Sequence, residues 1–111
     1  MPQDKVTING IVPDLMATVT LHPTQQGGRL NPMHPNPVPK VPAIFSMDGQ
    51  PPWRGRDVGI LLRDTLHPGQ SVLAGIKFLD PDGIQEARAA GRMFIFEGRV
   101  TGELIFDEVV P

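Results

Sequence analysis

The side chains able to do chemistry in this chain of 111 residues are few and widely spaced. Its three histidines, His22, His34 and His67, each precede a proline. The residue before proline is pushed into extended backbone, so His-Pro reads as material for strand ends and turns. None of the three stands at a metal-ligand spacing from another histidine or a carboxylate. Nucleophilic catalysis needs a hydroxyl, a base within reach and a group that orients the base. The two serines, Ser46 and Ser71, lie outside any G-x-S-x-G turn. Asp80, Asp82 and Glu86 cluster in sequence, but they read as helix-terminal and solvated charge, because a paired acid and base needs burial. There is no phosphate-binding loop of the G-x-x-x-x-G-K-[ST] type. Cysteine is absent, which excludes disulfides, thiolate metal sites and thiol nucleophiles. The expectation is no catalytic residue, no metal and no cofactor. A small-molecule enzyme, the weaker alternative, would need a deep pocket that gathers His22, His67 and the carboxylates of residues 80–86.

Glycine-arginine turns are the polar features that remain. "GGR" (Gly27, Gly28, Arg29) and "EGR" (Glu97, Gly98, Arg99) each place an arginine just after a glycine able to take positive φ. Consecutive N–H groups in such a turn can form a concavity for anions, and guanidinium adds a planar fork for phosphate or carboxylate. The plainer reading is a turn with its arginine in solvent. "WRGR" sets Arg54 and Arg56 beside Trp53, the sole tryptophan. Trp and Arg together anchor many protein interfaces, although the one Trp of a small domain is as often core.

Charge limits the partners. Ten basic and twelve acidic residues give a net charge of −2 and a pI near 5.8. Nucleic-acid binders cluster Lys and Arg to displace counterions from phosphates, and here the basic residues are scattered. A protein partner is therefore expected first, with RNA-backbone contact through a local patch as the alternative. The N-terminus shows no basic segment followed by an apolar core. No apolar run approaches the ~20 residues of a membrane helix, so a cytoplasmic, soluble protein without membrane contact is expected.

These residues must be carried by a scaffold whose apolar pattern has a period of two. "ATVTLHP" alternates Ala17, Val19 and Leu21 with Thr18, Thr20 and His22, as a half-buried strand does. "KVTINGIV" alternates more roughly through Val6, Ile8 and Val12. Further strands are expected over Val41–Met47, Asp57–Arg63, Ser71–Leu79, Arg92–Gly98 and Val100–Val110. Six or seven short strands between Gly, Pro, Asp and Asn clusters predict a closed all-β barrel in one domain. The thirteen prolines fall between the strands, where they remove no ladder bond. One short helix is expected over residues 82–90, with Asp82 as cap and Gly91 as the left-handed terminator. Residues 25–42 form a long proline-rich surface loop, which at more than ~12 residues reads as a functional loop.

The order of these motifs resembles the C-terminal β-barrel domain of elongation factor Tu, from about Met16 to Val110. "ATVTLHPTQQGGR" is similar to that domain's opening strand, with its Gly-Gly-Arg turn and proline-bearing loop. "LHPGQSVLAGIKF" is similar to its Met-Pro-Gly-Asp turn and following strand, with Pro68 and Gly69 in agreement and Gln70 in the acidic place. "AAGRMFIFEGRVTGELIF" resembles its closing hairpin, where Gly98, Arg99 and Gly102 fit and Glu97 replaces a glycine. Aromatic residues of the family's strand after the long loop are missing apart from Phe45, and "DGQPPWRGR" looks like an insertion. The resemblance implies a six-stranded antiparallel Greek-key barrel that does no chemistry. In the translation factor this domain packs on the GTPase domain, touches the backbone of aminoacyl-tRNA and contacts the exchange factor. It implies for Gly98, Arg99 and Gly102 a place near an RNA backbone, and for Gly27, Gly28 and Arg29 a loop-shaping or interface role. With the GTPase domain absent, it implies an interaction module or a mimic of the factor's own domain.

Overall fold

Alternation of apolar and polar residues is realised as six strands in the computed structural model, which describes residues 7–46 and 53–107. They are β1 (Leu15–Leu21), β2 (Lys40–Phe45), β3 (Arg54–Leu61), β4 (Ser71–Phe78), β5 (Arg92–Phe96) and β6 (Val100–Phe106). The strands close into an antiparallel barrel in the order β1-β4-β3-β2-β5-β6. β2, β3 and β4 form a meander and β1 returns beside β4, which is a Greek key. In β1 every second residue is buried, so Ala17, Val19 and Leu21 point inward and Thr18 and Thr20 outward. Val58, Ile60, Ile76, Met93, Ile95 and Leu104 from the other strands complete the interior. Each such aliphatic side chain contributes about 1.5–3 kcal/mol on burial. Closure also leaves no long unpaired strand edge.

The one α-helix among the described residues, α1 (Asp82–Ala90), packs its Ala87 and Ile84 into that core. Gly83 permits a close approach, since a Cβ there would lie 2.7 Å from the Phe78 ring. The helix ends at Gly91, left-handed at φ 75°, whose N–H reaches the Ala87 carbonyl at 2.7 Å. Its start differs from expectation. Pro81 is the cap residue and Asp82 lies in the first turn, while the Asp80 carboxylate accepts the Asp82 N–H at 3.0 Å.

Three further expectations are corrected. The run from Thr7 to Val12 is no barrel strand: Asn9 and Gly10 take positive φ, and Ile8 and Ile11 close a tight turn on themselves. Asn-Gly favours this kind of turn, and it outweighs the rough alternation around it. Pro42 lies inside β2 rather than between strands, opposite Asp57. It has no N–H to offer, and the β2–β5 ladder, only two pairs long, begins just past it at Ala43 and Ile95. The third strand starts before the expected Asp57, because Arg54, Gly55 and Arg56 already pair with Phe45, Ile44 and Ala43 at the start of β3. Val6, Met47, residues 48–52 and residues 108–110 of the expected segments lie outside the described residues.

The proline-rich loop is shaped and fastened. It opens with a 3-10 turn, Thr24–Gln26, closed by Gly27 at φ 86°. Met33 and Leu66 exchange backbone hydrogen bonds of 2.8 and 2.9 Å. His34 Nδ1 lies 3.1 Å from Thr65 Oγ1. The Ile60 N–H donates to the Pro39 carbonyl at 2.9 Å, just before β2 begins.

Candidate functional site

The closing of β1 on β6 brings the two glycine-arginine turns together, although Arg99 follows Gly27 by 72 positions. His22 N–H, at the end of β1, donates to the Thr101 carbonyl on β6 at 2.9 Å. The Arg99 guanidinium then reaches across, donating from Nε to the Gly27 carbonyl at 2.6 Å and from Nη2 to the Gly28 carbonyl at 3.1 Å. Arg29 Nη1 stands 3.9 Å from Glu97 Oε2, and the buried Thr101 hydroxyl donates to Glu97 Oε1 at 2.7 Å. Thr24 Oγ1 donates to the Arg29 carbonyl at 2.8 Å.

This node is built for closure. Gly27 and Gly28 do not present free N–H groups to an anion, because they donate to the carbonyls of Thr24 and Pro23 at 3.2 and 3.0 Å. A Cβ on Gly28 would sit 2.0 Å from the His22 carbonyl oxygen, and one on Gly102 would sit 2.4 Å from that of Thr20. Both glycines are there because backbones approach too closely for a side chain. Gly98 takes φ 81° in the β5–β6 turn, a left-handed position that favours glycine. Arg29 Nη1 is the one buried side-chain nitrogen or oxygen among the described residues that lacks a hydrogen-bond partner.

Arg54 and Arg56 lie elsewhere, on the core-facing side of β3 near α1. Arg56 donates from Nε to Glu86 Oε1 at 2.7 Å and from Nη1 to Asp80 Oδ2 at 2.6 Å, holding the middle of the helix and the residue two before its start. Arg54 pairs with the other Glu86 oxygen at 2.5 Å and lies over the Phe45 ring. The hydrogen bond from Arg56 is the main cause that holds the Glu86 carboxyl below its ordinary range, and the same bond pushes the Arg56 guanidinium further up. These carboxylates are therefore committed to arginines.

Trp53 is on the surface. It is 40% exposed and packs on Phe96, with ring centroids 5.0 Å apart and planes tilted by 46°. Ile44 and Phe94 are opposite each other in the β2–β5 register and are buried, yet they are absent from the core cluster. With Arg92 lying over the Phe94 ring at 4.4 Å, they form a small apolar cluster on the outside of the barrel. Sequence reading missed Phe96, although Phe94 and Phe96 share one side of an alternating strand whose other side holds Met93 and Ile95.

The histidines do not join the carboxylates in any described hydrogen bond, and among the described residues no three His, Asp or Glu side chains gather as metal ligands. A shallow groove of about 290 Å³ runs between Asp64–Leu66 and Gln70–Val72; it is lined by Ser71 but by no histidine and by no residue of the glycine-arginine turns. Among the described residues no helix is long and apolar enough to cross a membrane. No protein-family model matches the chain, and no curated protein matches it in sequence.

Proposed function

We propose that this barrel is a non-catalytic protein-interaction module of the cytoplasm, similar in kind to the C-terminal domain of elongation factor Tu and acting as a partner or mimic in translation-related assemblies. The observation that carries the reading is the Trp53 face. A tryptophan 40% exposed on Phe96 offers one of the residue types that most often anchor protein interfaces. The core is filled by other side chains without it.

Charge pairing favours a protein over an RNA backbone. Arg29, Arg54, Arg56, Lys77 and Arg92 face carboxylates, and Arg99 is held by two carbonyls. Of the described basic residues this leaves Lys40, Arg63 and Arg88, on β2, after β3 and on α1. Phosphate binding needs such charges in one place.

Calorimetric titration of the full chain against the isolated GTPase domain of an elongation factor Tu, stripped of its own barrels, tests the reading. Binding is expected, weakened at least about tenfold by Trp53→Ala, as the loss of an interface anchor would do. No binding, or equal affinity for the Trp53→Ala variant, would sink it. Transfer RNA in the same assay is expected to bind neither form at moderate salt.

A further inference from the structure

The barrel wall opposite the Trp53 face carries an exposed apolar row. β1 and β2 lie three places apart in the ring of six, so β4, β1 and β6 form the side away from β2. Across that side the register sets Leu73 of β4 opposite Thr18 of β1, and Thr18 opposite Ile105 of β6. Residues directly opposite in a ladder share a face, and Thr18 points outward. Leu73 is 56% exposed and Ile105 is 47% exposed. In the next outward row Ser71, Thr20 and Glu103 stand side by side, with the Ser71 and Thr20 hydroxyls 2.7 Å apart.

Ser71 also lines the groove between residues 64–66 and 70–72, and so joins that groove to the row. Asp64 is the one charged residue of the groove lining, and Arg63 beside it in sequence is not part of that lining. The Asp64 carboxylate has no hydrogen bond or ion pair with a described residue, whereas Asp14, Asp80, Glu86, Glu97 and Glu103 all face cations. Thr65, Gln70 and Ser71 each add an oxygen able to accept, and Leu66 and Val72 add apolar walls. A recess with one free carboxylate, several acceptors and no cation complements arginine. Its guanidinium has five donors and its stem is apolar.

We propose that groove and row together dock an extended segment of another protein, one that carries an arginine and an aliphatic side chain two residues apart. Ser71 at the groove and Leu73 in the row are themselves two residues apart on β4, about 7 Å along the strand. Side chains at i and i+2 of an extended partner share one face at the same spacing. The arginine enters the groove and meets Asp64, while the aliphatic side chain lies over Thr18, the small residue between Leu73 and Ile105. Charge complementarity selects this occupant. A phosphate backbone would meet the Asp64 carboxylate as a like charge. The surface lies on the far side of the barrel from Trp53, so this inference stands or falls independently of the proposed function.

Amide proton–nitrogen spectra of the full chain, titrated with the end-blocked peptide Arg-Ser-Leu-Ser-Arg, test the proposal. The peptide presents the pair in both chain directions. Saturable shifts centred on residues 64–73, β1 and β6 are expected. Asp64→Asn removes the charge and keeps the shape, and is expected to weaken binding about fivefold, the upper end for an exposed ion pair. Leu73→Ser is expected to weaken it as well, by removing apolar area. Lysine in place of both arginines is expected to bind less well, because an ammonium lacks the planar fork. Trp53→Ala is expected to leave the affinity unchanged. Both substituted side chains of the chain's own surface are exposed, and the same spectra report whether each variant keeps its barrel. No saturable shifts, shifts centred on Trp53, or equal affinity for Asp64→Asn overturns the proposal. Shifts at the same residues on concentrating the chain alone would place a second copy there and overturn it too.

Discussion

Arg99→Ala distinguishes an arginine that locks the barrel from one that waits for a ligand. The guanidinium bridges the carbonyls of Gly27 and Gly28 at 2.6 and 3.1 Å, and so ties the β5–β6 turn to the loop that follows β1. Hydrogen bonds from a charged donor contribute about 1.5–3 kcal/mol each. The first of these two is exposed and the second part-buried, so solvent screening puts both at or below the low end, about 2 kcal/mol together. For a domain of this size one kcal/mol moves the melting temperature by roughly 4 °C, which makes the expected drop about 8 °C. Thermal melts followed by circular dichroism, with the emission of the sole tryptophan as a second probe, read it directly. Arg99→Lys is expected to restore less than half of the loss, because an ammonium on a flexible stem lacks the fork that spans two carbonyls. A melting temperature within about 1 °C of wild type would refute the lock, since a side chain that contributes nothing to stability is free for a partner.

Two further outcomes follow from the same geometry. Gly102→Ala puts a Cβ 2.4 Å from the Thr20 carbonyl oxygen and 3.1 Å from Ile95 Cδ1, so β6 must move off β1, at the upper end of overpacking costs or about 3 kcal/mol. Gly98→Ala meets nothing within 4 Å and has only its φ of 81° to oppose it, about 1–2 kcal/mol. Calorimetric melts that rank Gly98→Ala as the more damaging would contradict the close β1–β6 approach. Glu86 governs part of the acid response. Its folded carboxyl titrates below its ordinary value of 4.5, mainly through the Arg56 hydrogen bond. A depressed carboxyl contributes stability that is present above the ordinary value and is lost as pH falls through the depressed one. The stability gap between wild type and Glu86→Gln is therefore expected to be level near neutrality and to shrink below pH 4.5. Urea melts across that range check it, and a gap that ignores pH would count against the pairing.

The strands were legible because each half-buried one writes its burial into alternate residues, as β1 does from Leu15 to Leu21. Local signals also marked the helix and its end, since Gly91 supplies the left-handed residue that L side chains resist. Legibility failed where two local signals competed or where the cause was distant. Asn9-Gly10 overrode the alternation of Ile8 and Val12. Asp80, rather than Asp82, met the first helical N–H, because Pro81 between them already starts the helical turn. The polar start of β3, Arg54-Gly55-Arg56, carried no strand pattern, because its arginines reach from the core-facing side to the carboxylates beside α1. Nothing local could show that Arg99 would meet Gly27, because that contact exists only once β1 and β6 pair.

The residues most suggestive of ligand chemistry thus also make contacts that hold the barrel together. A closed six-stranded barrel has to join its first and last strands through contacts remote in sequence, and loop-closure entropy opposes that join. Charged hydrogen bonds at the seam and glycines that let the two backbones touch are an apt means of holding it. The arginines of β3 serve the same end by fastening α1 to the barrel. What is left for recognition is apolar surface: the exposed tryptophan on a phenylalanine, which the sequence already offered as an interface anchor. Contacts of that kind draw on shape and apolar burial, so binding at the Trp53 face is expected to change little with salt, whereas a phosphate-binding patch loses affinity steeply.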